Sequence, residues 1–86
     1  MLEHSKISAW RIIEGRAFVI NTKDSTLHEL DGTGTFIWKT LEKGAGIPSI
    51  VNKLCVEYDV TREAAQKDVS EFVAALIKKG LIRNDR

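Results

Sequence analysis

The sequence predicts an α+β fold in which a three-stranded antiparallel sheet is followed by a three-helix bundle. Short runs of β-branched and aromatic residues, separated by polar turns, occupy the chain up to residue 30. From residue 31 onward the apolar residues recur at helical spacing. The length of 86 residues is sufficient for one compact domain, and 43% hydrophobic with 29% charged residues is the composition of a globular protein.

The predicted sheet begins with a β-hairpin. Its two strands are residues 10–13 and 17–20, and Gly15 between them can adopt the positive φ that a tight hairpin turn requires. A polar cluster at residues 21–25 interrupts the chain again. Residues 26–30 then fit a short third strand, although the alternation of apolar and polar residues is imperfect.

Three helices are predicted after the sheet. The first begins at Asp31, whose carboxylate can accept hydrogen bonds from exposed backbone N–H groups, and it ends before Gly44. The second spans residues 47–58 and has a proline in its first turn, where a missing N–H has no intrahelical partner to lose. The third has Thr61 as its N-cap and runs to about Lys79, which a glycine follows.

The domain is expected to comprise residues 9–82. Residues 1–8 mix polar and apolar side chains and are expected to form a flexible N-terminal arm, and residues 83–86 are expected to fray as a C-terminal tail. Leu81 and Ile82 are expected to fold back onto the body. A small sheet and three helices, with a turn between the second and third, predict a winged-helix-like fold.

The third helix has an unusually wide apolar face. Its apolar residues span roughly 200° around the helix axis, whereas a helix lying on one core needs a stripe of about 100°. They are Ala64, Ala65, Val69, Phe72, Val73, Ala75, Leu76 and Ile77. Two explanations stay open, since the helix either packs against both the sheet and the other helices or uses part of this face to line a groove.

The reactive side chains do not indicate a catalytic or metal site. His4 lies in the expected arm, His28 stands alone in a strand, and Cys55 flanks the apolar face of the second helix, where cysteine usually behaves as a small hydrophobic residue. The sequence lacks the spacing of metal ligands, and the glycines beside Thr33 lack the pattern of a phosphate-binding loop. We therefore expect neither catalysis nor a cofactor.

Charge and cysteine content narrow the possible partners. Thirteen basic and twelve acidic residues give a net charge of +1, so no global positive field attracts nucleic acid. A single cysteine is compatible with a reducing compartment. Because the sequence has no signal-peptide pattern and no apolar run approaching 18 residues, we expect a cytoplasmic protein that does not enter a membrane.

The order of certain core residues resembles the PqqD-like family over about residues 17–82. The matching positions are Leu30-Asp31 at the end of the third strand, Ile37-Trp38 and Leu41 in the first helix, Ile50-Val51, Leu54 and Tyr58 in the second, Asp68-Val69 and Phe72 in the third, and Gly80-Leu81 after it. Each is an ordinary core residue type, and the specificity of the resemblance comes from their order and spacing.

The resemblance implies a winged-helix-like recognition element for ribosomally synthesised and post-translationally modified peptides (RiPPs). Such domains are adaptors that bind the leader of a precursor peptide and present it to a modifying enzyme, such as a radical SAM maturase. The leader adds as a strand along the third strand, in the cleft beside the third helix. Carried over to this chain, the peptide-binding residues are Ser25, Thr26, Leu27, His28, Glu29, Leu30, Ala65, Asp68, Val69, Phe72, Val73, Leu76 and Lys79.

Physical chemistry permits this binding mode. An exposed sheet edge offers unpaired N–H and C=O groups to an extended peptide, and the wide apolar face of the third helix would supply the groove. Leu27 and His28 stand where the family often has aromatic residues. The pathway therefore stays open between coenzyme PQQ synthesis and other RiPP systems, which include lasso-peptide systems.

Two other functions compete with the adaptor. A winged-helix DNA-binding regulator would present a basic, polar recognition helix, whereas Lys67 of the third helix stands beside Asp68 and the broadest face of that helix is apolar. A sheet edge that self-associates is the third possibility, and we expect a monomer or a weak homodimer. For the adaptor, the sequence predicts that Phe72→Ala or Leu76→Asp weakens peptide binding beyond any loss of fold, and that proline at His28 does likewise if the N–H of His28 faces the edge.

Overall fold

The structure is a computed structural model that describes residues 1–84, in which five strands and three helices are found. The strands are β1 (Leu2–His4), β2 (Ser8–Ile13), β3 (Arg16–Asn21), β4 (Thr26–Glu29) and β5 (Ile82–Asn84), and the helices are α1 (Gly32–Thr40), α2 (Ile47–Glu57) and α3 (Arg62–Lys78). The predicted α+β class is confirmed. In residues 1–84 no helix is long and apolar enough to span a membrane.

The three predicted strands form an antiparallel sheet in the order β2–β3–β4. The β2–β3 turn places Glu14 at φ 52° and Gly15 at φ 80°, which is the left-handed pair that a two-residue hairpin turn of type I′ requires. The β3–β4 connection also contains a left-handed residue, Ser25 at φ 63°. Both hairpins therefore form where the sequence predicted them.

The two faces of this sheet have different surroundings. Ala17 and Val19 of β3 are fully buried against the helices. On the opposite face, which we call the outer face, Ile13, Ile20 and Leu27 are 46%, 42% and 61% exposed. Because side chains alternate along a strand, one face enters the core while the other carries apolar residues to the surface.

The predicted helix caps are present. The Asp31 carboxylate accepts a hydrogen bond from the backbone N–H of Gly34 at 2.7 Å, and the Thr61 hydroxyl accepts one from the N–H of Ala64 at 3.1 Å. Gly80 ends α3 with φ 79°, a conformation that favours glycine. These side chains satisfy N–H groups that the first helical turn leaves without partners.

Only part of the wide apolar face of α3 enters the core. The buried stripe consists of Ala65, Val69, Val73 and Leu76. Ala64, Ala75 and Ile77 are exposed, and Phe72 is partly buried. The helix thus packs on one surface with a single stripe, and the remaining apolar residues lie at the protein surface.

The two chain ends form a second, two-stranded sheet, so the prediction of a flexible arm at residues 1–8 is wrong. β1 pairs antiparallel with β5, and Leu2 exchanges backbone hydrogen bonds of 2.7 and 2.9 Å with Ala45. Leu2 is 6% exposed and Ile82 is 2% exposed. Pairing between ends about 80 residues apart leaves no local signal in the sequence. Arg83 and Asn84 belong to β5, and the rest of the predicted tail lies outside the described residues.

His4, the last residue of β1, belongs to an aromatic cluster with Trp10 and Trp38. Its ring stacks on Trp38 with centroids 3.8 Å apart and meets Trp10 edge-on at 5.3 Å. Its Nε2–H donates to the Trp38 backbone carbonyl at 2.7 Å. Burial lowers the pKa of His4 below its ordinary value of 6.5, although the Trp38 carbonyl and the Glu42 charge act in the opposite direction.

This cluster makes folding stability dependent on pH. Because the folded protein holds the His4 proton less tightly than the unfolded chain does, the His4 contribution is fully present above about pH 6.5 and decreases as pH falls below it. We expect the wild-type urea midpoint to fall more between pH 7.5 and pH 5.0 than that of His4→Phe, which keeps a ring on Trp38. Equal decreases in the two proteins would contradict this assignment.

Candidate functional site

The edge strand β4 presents backbone groups that face away from the sheet. β4 is terminal in its sheet among the described strands, and the N–H of Leu30 donates to the carbonyl of Ala17 at 2.9 Å. Hydrogen-bonded pairs alternate along an antiparallel ladder, so His28 also bonds toward β3, whereas Leu27 and Glu29 direct their N–H and C=O groups outward. These two residues define the free edge.

Helix α3 lies alongside β4 and runs in the opposite direction. At one end, the Asn21 side chain donates to the carbonyl of Lys79 at 3.0 Å, and Asn21 is the ladder partner of Thr26. At the other end, the Phe72 ring packs on Gly34, where an added Cβ would lie 3.0 Å from Cε1 of that ring. A cleft therefore extends between β4 and α3, with the C-terminus of α3 beside the start of β4.

The end of the cleft beside α1 contains an open pocket with an acidic rim. Its lining residues are Asp31, Thr33, Gly34, Ile37, Asp68, Glu71 and Phe72. The Asp31 carboxylate already caps α1. Asp68 and Glu71 are exposed, and neither side chain forms a hydrogen bond or ion pair within the part of the chain that the structure describes.

Eight of the predicted site residues are accessible around this cleft. His28 and Phe72 are partly buried, and the other six are exposed, namely Ser25, Thr26, Leu27, Glu29, Asp68 and Lys79. His28 faces the same side of the sheet as the buried Val19, its ladder partner. The Glu29 carboxylate forms an ion pair with Arg16. On β4, Thr26 and His28 thus face the cleft side of the sheet. The side chains of Leu27 and Glu29 lie on the outer face, and only their backbone groups border the cleft.

The other five predicted residues are corrected to core positions. They are Leu30, Ala65, Val69, Val73 and Leu76, and their exposed fractions are between 0% and 8%. The positions inferred from the family resemblance therefore include two kinds of residue. Some hold α3 in place in the core, and others face the cleft. The buried stripe of α3 therefore shapes the cleft without lining its surface.

Two of the mutations chosen from the sequence consequently test stability instead of binding. The N–H of His28 points toward β3, so a proline there breaks the β3–β4 ladder and does not alter the free edge. Leu76 is 3% exposed, so an aspartate at that position would bury an unpaired charge in the core. Leu27 is the position at which proline tests the edge.

Sequence reasoning did not identify Gly34 or Glu71 as part of the site. The signal for Gly34 was a second glycine inside the first turn of α1, where glycine costs helix stability unless a close contact requires it. Glu71 follows Asp68 by three residues and therefore lies on a neighbouring part of the helix surface. Neither signal specifies that Phe72 packs on Gly34 in the pocket that Glu71 also lines, because that contact is tertiary.

A separate surface depression lies outside the cleft. The outer face of the sheet carries an apolar depression lined by Ala9, Trp10, Arg11, Ile13, Phe18, Ile20 and Leu27. In residues 1–84 no group of three His, Cys, Asp or Glu side chains is placed to hold a metal ion. The acidic rim of the cleft does not favour the DNA-binding alternative, because duplex DNA is a polyanion.

Comparison with known proteins places this geometry in a family. No curated protein matches the sequence at a significant level. The solved structure of TbiB1 in complex with the TbiA(beta) leader peptide matches with a TM-score of 0.91 and 28% identity, covering 98% of each chain. Lasso peptide synthetase B1, complexed with the leader peptide, has the same fold, with a TM-score of 0.86 and 18% identity over 96% of this chain and 98% of that chain. Since the profile of coenzyme PQQ synthesis protein D matches residues 16–82, the chain belongs to the PqqD family.

Proposed function

We propose that this protein binds the leader of a ribosomally made precursor peptide as an additional strand on β4 and presents it to a modifying enzyme. The observation that carries the proposal is the free edge of β4 at Leu27 and Glu29, which opens beside the cleft formed with α3. The 28%-identical relative TbiB1 was solved with a leader peptide, which supports a peptide as the ligand.

Strand addition uses groups that the free edge already presents. An extended peptide can form four backbone hydrogen bonds with the N–H and C=O groups of Leu27 and Glu29. Its side chains then alternate between the cleft and the outer face. On the cleft side they would meet Thr26, His28 and Phe72, and Phe72 is the aromatic side chain that is accessible there.

The proposed role is that of a non-catalytic adaptor. A leader held at one sheet edge leaves the remainder of the precursor free to extend into a separate active site. The partner would be a modifying enzyme, such as a radical SAM maturase, of PQQ synthesis or another RiPP pathway. We expect this to take place in the cytoplasm, where the precursor is translated.

An amide NMR titration of the labelled protein tests the proposal. The ligands are leader peptides encoded by short reading frames beside the gene, together with the TbiA(beta) leader peptide, and a scrambled version of each serves as the control. Saturable shifts confined to residues 25–30 and 68–79 are expected. If the folded protein shows no shifts with any of these leaders, or shifts only on the outer face, the proposal is wrong.

Gly34→Ala is expected to weaken binding of the leader that titrates, by about threefold or more. The new methyl group would lie 3.0 Å from the Phe72 ring and 3.1 Å from the Asp31 carboxylate, so the partly buried ring must shift from its place in the pocket. Gly32→Ala is the matched control, because a Cβ there meets nothing within 4 Å. Isothermal titration calorimetry of both variants measures the effect, and equal affinities would show that Phe72 does not contact the peptide.

A further inference from the structure

We propose that the cleft selects peptides by the order of their charges. The preferred segment has a lysine or arginine, then apolar residues, then an aspartate or glutamate four or six residues after the cation. This inference rests on the proposed function, because it names the class of leader that the same cleft takes. It is carried by the charges at the two ends of the cleft and by the direction of β4.

The cationic residue is assigned to the end of the cleft beside α1. Asp68 and Glu71 are exposed there, and neither carboxylate has a hydrogen bond or ion pair within residues 1–84. Asp31 adds a third carboxylate to the same rim, although it also caps α1, and Phe72 lines the same pocket. An aromatic ring beside the two unpaired carboxylates of Asp68 and Glu71 suits an aliphatic chain that ends in a positive charge, such as that of lysine or arginine.

The anionic residue is assigned to the opposite end. Residues 68, 72, 75 and 79 fall within about 60° of one another around the helix axis, so Lys79 lies on the cleft side of α3. Its carbonyl accepts from Asn21, which places it level with the start of β4. Asp24 lies in the adjacent turn, but its carboxylate is engaged by the backbone N–H and hydroxyl of Thr26, a contact that also lowers its pKa.

The direction of β4 determines which charged residue of the peptide comes first in its sequence. β4 runs from the level of Lys79 toward Asp31. Every pair in this sheet is antiparallel, and antiparallel pairing is the more stable arrangement per residue. A peptide added in this way starts at the acidic end, so its cationic residue comes first.

The separation of the charges follows from the two element geometries. Eleven residues of α3 separate Asp68 from Lys79, which corresponds to about 16 Å at 1.5 Å per residue. A strand covers that distance in about five residues, and only alternate side chains face the cleft. Four and six residues are therefore the separations at which both charges face α3, with one or two apolar side chains over Phe72 and Ala75 between them.

Selection from a random peptide library by messenger-RNA display tests the inference. The wild-type protein is compared with Asp68→Lys/Lys79→Glu, which exchanges the two charges without changing the net charge. The matched control is Glu63→Lys/Lys67→Glu, which makes the same exchange on the part of α3 that faces away from Phe72. We expect basic-before-acidic peptides for the wild type and the control, and loss of that order for the exchanged variant, in which the lysine introduced at position 68 faces the remaining carboxylates of Glu71 and Asp31.

Synthetic peptides then measure the size of the preference. Exchanging the two charged residues of the best wild-type binder is expected to weaken its binding to the wild type about tenfold at low salt, and less at high salt. Wild-type binders that enrich at the β4 edge without a charge order, or a basic-before-acidic order that the exchanged variant retains, would overturn this inference and leave the proposed function standing. No enrichment over a blank surface would contradict peptide binding itself, and the inference with it.

Discussion

Replacing Leu27 with proline is expected to lower leader affinity by about tenfold or more while the protein remains folded. The N–H of Leu27 points away from β3, so proline removes a donor from the free edge without removing a bond from the β3–β4 ladder. A peptide carbonyl left without its partner costs about 1–3 kcal/mol, and the proline ring also obstructs the edge. Calorimetric titration with the leader measures the loss.

Two further substitutions separate the backbone effect from other causes. Leu27→Ala keeps the N–H and removes a side chain on the outer face, so its affinity is expected to stay within about twofold of the wild type. His28→Pro breaks the ladder to Val19 and is expected to lower the melting temperature instead. If Leu27→Pro binds the leader as well as Leu27→Ala does, the peptide does not add to this edge.

Replacing Trp38 with alanine is expected to have the largest effect on stability. The Trp38 side chain is fully buried, stacks on His4 and contacts Trp10 with ring centroids 6.1 Å apart. Truncating a buried tryptophan costs about 3–5 kcal/mol, whereas a domain of 86 residues has about 4–13 kcal/mol in total. We expect the melting temperature to fall by more than about 10 °C.

Trp38→Phe is the informative control for this substitution. The Nε1–H of Trp38 is buried and has no hydrogen-bond partner within residues 1–84. Phenylalanine removes that unsatisfied donor and retains a ring against His4, so the expected loss is below about 2 kcal/mol. Urea denaturation of both variants gives the comparison, and equal losses would show that the ring stack contributes little.

The helices and the three-stranded sheet could be predicted because their signals are local. Asp31 and Thr61 cap helices by bonding to N–H groups three residues away, and Gly15 supplies a turn between adjacent strands. The pairing of β1 with β5 could not be predicted in this way. β1 and β5 are three residues each and lie at opposite ends of the chain, and only the folded chain brings Leu2 and Ile82 together.

The candidate site could be predicted only in outline. The strand, the helix and the exposed polar positions followed from the resemblance to the family, whereas the buried stripe of α3 was assigned to the groove. A wide apolar face does not indicate which residues enter the core, because that depends on the rotation of the helix against its neighbours. The contact between Phe72 and Gly34 shows which side of α3 faces α1.

The sequence by itself determined the order of β2–β4 and α1–α3, the caps and turns, and the core pattern shared with the PqqD family. These depend on backbone propensities and on spacing within one element. Only the tertiary structure decided which β4 backbone groups face outward and which carboxylates line the pocket with Phe72. Packing between distant segments determines which residues of β4 bond to β3 and how α3 is rotated about its axis. Both are therefore decided only when the sheet and helices are assembled.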